Sequence, residues 1–248
     1  MTQLKGVFWD VDGTLADTEM HVHRKAFNKA FSYFGLKWYW GEDLYEKLLD
    51  IAGGLNRIAF YIKQKNIDID KNKIKAIHSK KQLFYQQILK DEIIPLRPGV
   101  GRLIKELADH NISQWIVTTS GRKAIDALFV SSLAKYLYCF KGSITYEDVL
   151  NHKPKPDAYL KALSMSKLSK NECIVIEDSE IGLMSAKAAN LKCIITISPW
   201  KKVDRTNFES ADCVVNNLGE SSSNSKFIIG PASKEGFINF SYLQKIIS

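Results

Sequence analysis

The run Gly6-Val7-Phe8-Trp9 carries no polar side chain and stops abruptly on Asp10-Val11-Asp12-Gly13-Thr14. Successive apolar residues leave a strand no solvent face, so the rest of the chain must cover it on both sides. Asp10 and Asp12 fall at its carboxyl end, where Gly13 lets the chain turn. Open α/β sheets bind their ligands at that end. Two carboxylates so close repel unless a cation or a proton holds them together, so the strand end reads as a reaction site.

The chain past residue 99 supplies the partners such a strand needs. Residues 100–110 read as a helix, 112–118 as a strand running into Thr118-Thr119-Ser120-Gly121, and 122–129 as a helix. Residues 136–144 fit either type. A helix is expected at 157–164, a strand at 173–176 running into Glu177-Asp178-Ser179, a helix at 181–189, and strands at 193–197 and 213–215. This alternation implies a Rossmann-like α/β core with a mainly parallel sheet. Residues 18–34 instead show helical spacing (Val22, Ala26, Phe27, Ala30, Phe31, Phe34), and further helices are expected at 42–49, 56–64 and 72–90. The expected organisation is a core of 1–16 and 95–220, an inserted helical domain of 17–94 with hinges at 15–18 and 94–99, and an extension, 221–248. That extension opens on a Ser/Asn-rich linker and closes on 237–247, which can dock as strand or helix.

Composition removes several classes of function. No apolar run approaches the length of a membrane span, and the first residues lack a basic, apolar, cleavable leader. The expected location is cytoplasmic, or the chloroplast stroma after removal of a transit peptide. The four cysteines, Cys139, Cys173, Cys193 and Cys213, form no C-x-x-C pair and have no histidines clustered beside them. Buried, reduced thiols are expected rather than zinc or disulfides. The formal charge of +8 is spread over lysines in helical stretches such as 70–90, with no dense arginine tract. It reads as solvated helix faces whose field attracts a phosphorylated small molecule, not as a nucleic-acid or membrane surface. A monomer or weak dimer is expected.

Other strand ends and loops add groups to the same edge: the Thr118 hydroxyl, the Lys153 ammonium in His152-Lys153-Pro154-Lys155-Pro156-Asp157, and the carboxylates of Glu177 and Asp178, with Ser179 placed to cap the next helix. Each alone fits ordinary strand, loop or helix-start sequence. Jointly and in this order they resemble the four signatures of the haloacid dehalogenase superfamily, and the helical insertion is similar to that family's C1-type cap. The resemblance implies Mg²⁺ as cofactor, held by the carboxylates of Asp10 and Asp178 and the backbone carbonyl of Asp12, with Glu177 orienting Lys153 or a metal-bound water. It implies Asp10 as nucleophile through an aspartyl phosphate, Thr118 and Lys153 on the phosphoryl oxygens, and Asp12 as acid and then base. Dehalogenases lack an acid at the position of Asp12, so phosphate-ester chemistry is expected.

Within the superfamily, Asp17-Thr18-Glu19 through His23 and Asn28, Trp38-Tyr39-Trp40, Gly53-Gly54-Leu55-Asn56-Arg57 and Leu96-Arg97-Pro98-Gly99 look like the CbbY subfamily, whose members hydrolyse xylulose 1,5-bisphosphate. The subfamily commonly has lysine where this chain has Leu55. A bisphosphate needs a second cationic pocket. Arg57, on a Gly53-Gly54 turn whose N–H groups can face an anion, suits it. Glu19 can accept from sugar hydroxyls, and Thr119, Ser120 and Arg122 are further contacts. His23, Trp38 and Trp40 are expected to pack rather than react. Two alternatives stay open: a hexose phosphomutase of the β-phosphoglucomutase type, and a basic nucleic-acid-binding or regulatory protein on an inactive scaffold.

Overall fold

The computed structural model describes residues 2–51, 53–200 and 205–248, residue 205 by its backbone alone. The chain divides into two compact units, Met1–Asp17 with Pro95–Ser248, and Thr18–Ile94. Strand β1 (Gly6–Trp9) is buried at every residue. The chain then enters the helical unit: one wide turn, Glu19–His23, leads into α1 (Arg24–Tyr33), followed by α2 (Glu42–Leu48), α3 (Gly54–Gln64) and α4 (Lys71–Asp91). The α/β unit resumes with α5 (Val100–Asp109), β2 (Ser113–Val117), α6 (Arg122–Val130), β3 (Phe140–Ile144), α7 (Asp157–Ser166), β4 (Cys173–Glu177), α8 (Glu180–Ala188), β5 (Lys192–Thr196), β6 (Cys213–Val215), β7 (Phe227–Ile229) and α9 (Phe240–Ile247).

The seven strands form one sheet in the order β3-β2-β1-β4-β5-β6-β7. Every pair is parallel except β6 with β7. Val7, Phe8 and Trp9 of the central strand are fully buried, roughly 1.5–3 kcal/mol of transfer free energy for a side chain of this size. The one polar handle among them is satisfied: Trp9 Nε1 donates to Gln114 Oε1 at 3.0 Å, and Gln114 Nε2 donates to the carbonyl of Ile104. Register then positions the site. Trp9 lies opposite Ile116 of β2 and Ile176 of β4, so Asp10, Val117 and Glu177 reach the carboxyl edge of the sheet together.

The helical unit has its own core. α1 presents Ala26, Phe27, Ala30 and Phe31 inward. Trp40, fully buried, packs its ring against Phe27, Phe31, Tyr45 and Tyr61. Its backbone is clipped at both ends by the Asn28 amide. Trp38 is half-buried and meets Phe31 and Tyr61 edge-on. Asp70 caps α4 by accepting from the amides of Asn72 and Lys73.

Two boundaries differ from the sequence reading. Asp17 belongs with the α/β unit. Residues 221–248 also lie inside that unit rather than standing apart as an extension. β7 extends the sheet, and α9 buries Tyr242, Leu243 and Ile247. Gln244 donates to the carbonyl of Thr2 and accepts from the amide of Leu4, closing the last helix onto the first residues. The segment 136–144 resolves into a short 3₁₀ stretch, Ala134–Cys139, followed by β3. All four cysteines are buried as free thiols. No helix among the described residues is long and apolar enough to cross a membrane.

Candidate active site

The sharp turn after β1 folds back on itself. The amides of Thr14 and Leu15 donate to the carbonyl of Val11, and the amide of Gly13 to that of Ala16. Gly13 takes φ +88°, and a Cβ there would stand 2.2 Å from Asp178 Oδ2. Only glycine meets both demands. Thr14 Oγ1 donates to Asp10 Oδ2 at 3.0 Å, and Lys153 Nζ to Asp10 Oδ1 at 2.8 Å.

Lys153 is the hub. Its other two donors go to Glu177 Oε1 at 2.6 Å and to the carbonyl of Val117 at 2.8 Å. Glu177, 1% exposed, also accepts from the Tyr159 hydroxyl at 2.7 Å. A Cβ on Gly182, in the first turn of α8, would come within 2.0 Å of the Glu177 carboxyl. Tyr159 and Gly182 were not singled out by sequence reasoning, since neither a helical tyrosine nor a helical glycine announces a role without the register.

Carboxylate oxygens of Asp10, Glu177 and Asp178 lie within 4.8 Å of one another. Lys153 bonds two of these carboxylates, Asp10 and Glu177, and the charge of Arg97 acts on the third, Asp178. Burial and the neighbouring Glu177 push the Asp10 carboxyl up to about 7, against the pull of Lys153. For Lys153, burial works against the charge, but Asp10 and Glu177 outweigh it and hold the ammonium protonated. The donors are hard oxygens, the kind Mg²⁺ prefers. The Asp12 carboxylate is not among the three. It accepts a hydrogen bond from Ser120 Oγ. Thr118 is buried, and its Oγ1 accepts from the Ser120 amide. Thr119 is exposed on the same loop.

The substrate contacts expected elsewhere fare differently. Arg122 is not a free cation at the loop: its guanidinium is held by Ser143 and Asp148, and its amide donates to Glu147. Arg57 does not project from an open turn either. It is 8% exposed, with Nη1 and Nη2 on the two carboxylate oxygens of Glu19, Nε on the carbonyl of Ile51, and Tyr45 Oη alongside. Glu19 and Arg57 are therefore partners of each other. A carboxylate and an arginine far apart in sequence gave no sign of this pairing. Gly53 sits at the start of α3 with φ +84°. His23 packs on the Tyr85 ring at 4.3 Å.

One lysine of α4 departs from the solvated faces expected there. Lys81 is 2% exposed, with Nζ 2.5 Å from His23 Nδ1 and over the rings of Phe27 and Tyr85. Its position between Ile77 and Tyr85 on the buried stripe of α4 was the available signal.

The sheet order, the strand-end carboxylates and the lysine between them define a hydrolase site of one family. The model for the haloacid dehalogenase-like hydrolases matches residues 7–196, and the chain belongs to that family as a phosphatase-type hydrolase. It is 36% identical over 217 residues to protein CbbY of Rhodobacter capsulatus, covering 87% of this chain and 94% of that one. The structure of CbbY from Rhodobacter sphaeroides in complex with phosphate superposes with a TM-score of 0.79 at 31% identity, covering 88% of this chain and 96% of the other. A mutant of that protein in complex with xylulose-(1,5)bisphosphate superposes equally well, at 30% identity over the same shares.

Proposed function

We propose that this chain is a Mg²⁺-dependent sugar phosphatase whose substrate is xylulose 1,5-bisphosphate. The observation that carries the reading is the Asp10–Lys153–Glu177–Asp178 cluster, whose carboxylate oxygens, within 4.8 Å of one another, form an all-oxygen donor set that suits one Mg²⁺. Asp10 and Asp178 would hold the ion, with the carbonyl of Asp12. Bound there, Mg²⁺ supplies Lewis-acid neutralisation of the phosphate and keeps Asp10 ionised. Asp10 attacks phosphorus in line, an Oδ–P bond forms, and the bond from phosphorus to the sugar oxygen breaks. Asp12 gives its proton to the departing alkoxide. It then takes a proton from the water that attacks the aspartyl phosphate, releasing phosphate and restoring Asp10. Thr118 and Lys153 bind the spreading charge on the phosphoryl oxygens. Lys153 exchanges its bond to Asp10 for one to the transferred group while Glu177 keeps hold of it.

For the uncut phosphate the reading keeps Arg57, held by Glu19, and the N–H groups of the Gly53–Gly54 turn. The CbbY relatives and the bisphosphate carried by one of them support this substrate class.

The test is phosphate release from a panel of sugar mono- and bisphosphates, with Mg²⁺ and with EDTA. The expected result is highest kcat/KM for xylulose 1,5-bisphosphate, no turnover under EDTA, and none in Asp10→Asn. Absence of turnover on every substrate rejects the function. Turnover by Asp10→Asn rejects the nucleophile.

A further inference from the structure

Arg97 lies in the link before α5 and is 7% exposed. Its guanidinium reaches backbone oxygens of three separate segments. Nη1 donates to the carbonyl of Gly13 and to that of Thr196 at 2.7 Å. Nη2 donates to the carbonyls of Ile197 at 2.5 Å and Asn216 at 2.9 Å. Its own amide donates to the carbonyl of Leu15. A buried cation is normally matched by a carboxylate in hydrogen-bond contact. Here the four bonds run to peptide carbonyls, while Asp178 and Asp17 act on the charge through space. Only a planar fork of donors can serve four oxygens in this way; a lysine ammonium has three donors on one atom.

The segments so joined are the turn after β1 and the carboxyl ends of β5 and β6. Gly13 is the residue whose backbone packs against Asp178. Asp12 precedes it, and Thr14, which bonds Asp10, follows. Gly13 thus connects both acidic ends of the site, and Arg97 fixes its carbonyl. We propose that Arg97 is a positioning residue that pins the Asp10–Ala16 turn to the ends of β5 and β6, keeping the carboxylates of Asp10 and Asp178 at the spacing one divalent cation requires. This rests on the metal-dependent reading above. It assigns Arg97 no contact with substrate.

The experiment compares wild type with Arg97→Lys and Arg97→Gln. Mg²⁺ uptake by the substrate-free protein is measured by titration calorimetry, folding by thermal melts, and kcat and KM at a temperature where each variant is folded. The expected result is a fall of about 10- to 100-fold in Mg²⁺ affinity and in kcat, with KM moved less than about threefold and a cooperative melt retained by at least one variant. A residue that only stabilises the fold would lower the melting temperature and leave Mg²⁺ affinity and kcat alone, and that result overturns the inference. So does failure of both variants to fold, since the role then reduces to stability. Wild type that takes up no Mg²⁺ overturns the metal reading itself, an outcome distinct from unaltered uptake in the variants.

Discussion

All three donors of Lys153 are engaged by Asp10, Glu177 and the carbonyl of Val117, so the ammonium is aimed before any phosphate arrives. Asp12 accepts from Ser120, and under the proposed function it is the acid and then the base. Asp12→Asn is expected to slow turnover of sugar phosphates by about 10²–10⁴-fold. With p-nitrophenyl phosphate, whose leaving group departs without a proton, the same variant should release one nitrophenolate per enzyme in a fast burst and then stall, because the base for the second step is gone. Stopped-flow absorbance reads this directly, and a variant that keeps turning over steadily contradicts the assignment. The convergence of Asp10, Lys153, Glu177 and Asp178 was legible in sequence because each ends a strand or lies in a proline-marked loop. Arg57, Arg122 and Lys81 were not. Whether a cation is free depends on a partner brought by tertiary packing, and spacing says nothing about Glu19, Asp148 or His23.

At the scale of elements, α4 carries the clearest pH sensitivity of the helical unit. His78 lies against Gly54, and burial, with Lys81 and His23 nearby, pushes its imidazole down to about 4. The unfolded chain takes up this proton near pH 6.5, so between about 6.5 and 4 the unfolded state binds more protons than the folded one. Stability from this group is complete above the unfolded value and is lost as pH falls through that window. Discounted for partial exposure of the ring, the loss is about 2 kcal/mol. Thermal melts from pH 7 to 4 should show His78→Gln losing less stability than wild type; parallel slopes would remove His78 as the cause. Elements with strong periodicity, β1, β2, β4 and α5 among them, fell within a residue or two of their observed ends. β3 and β7 did not announce themselves. β3 is an edge strand with Lys141, Gly142 and Ser143 in its middle, and β7 is three half-buried residues. β3 lacks the continuous apolar run that marks a central strand, and the Phe-Ile-Ile run of β7 is too short to stand out.

For the whole molecule, the formal charge is +8, and under the proposed function the substrate is a polyanion. Field-assisted encounter is screened by salt, whereas chemistry within the closed network is not. Raising ionic strength from about 0.02 to 0.5 M, across which the Debye length shrinks several-fold, should lower kcat/KM for a bisphosphate several-fold and leave kcat nearly unchanged. A sulfate-free salt series measures it, and equal loss in both constants would point to damage at the site instead. The topology was readable because alternation dictates a parallel sheet. The placement of residues 221–248 was not, because its anchors, Gln244 on the first residues and β7 on β6, are long-range.

The four thiols sealed in the interior have a practical corollary. Burial raises the pKa of Cys139, Cys173, Cys193 and Cys213, and thiolate character is what alkylating dyes and peroxides attack. The native protein thus offers a silent background. A cysteine introduced at exposed Leu150 or Tyr39 becomes a unique handle for a fluorophore on either unit, with no native cysteine removed.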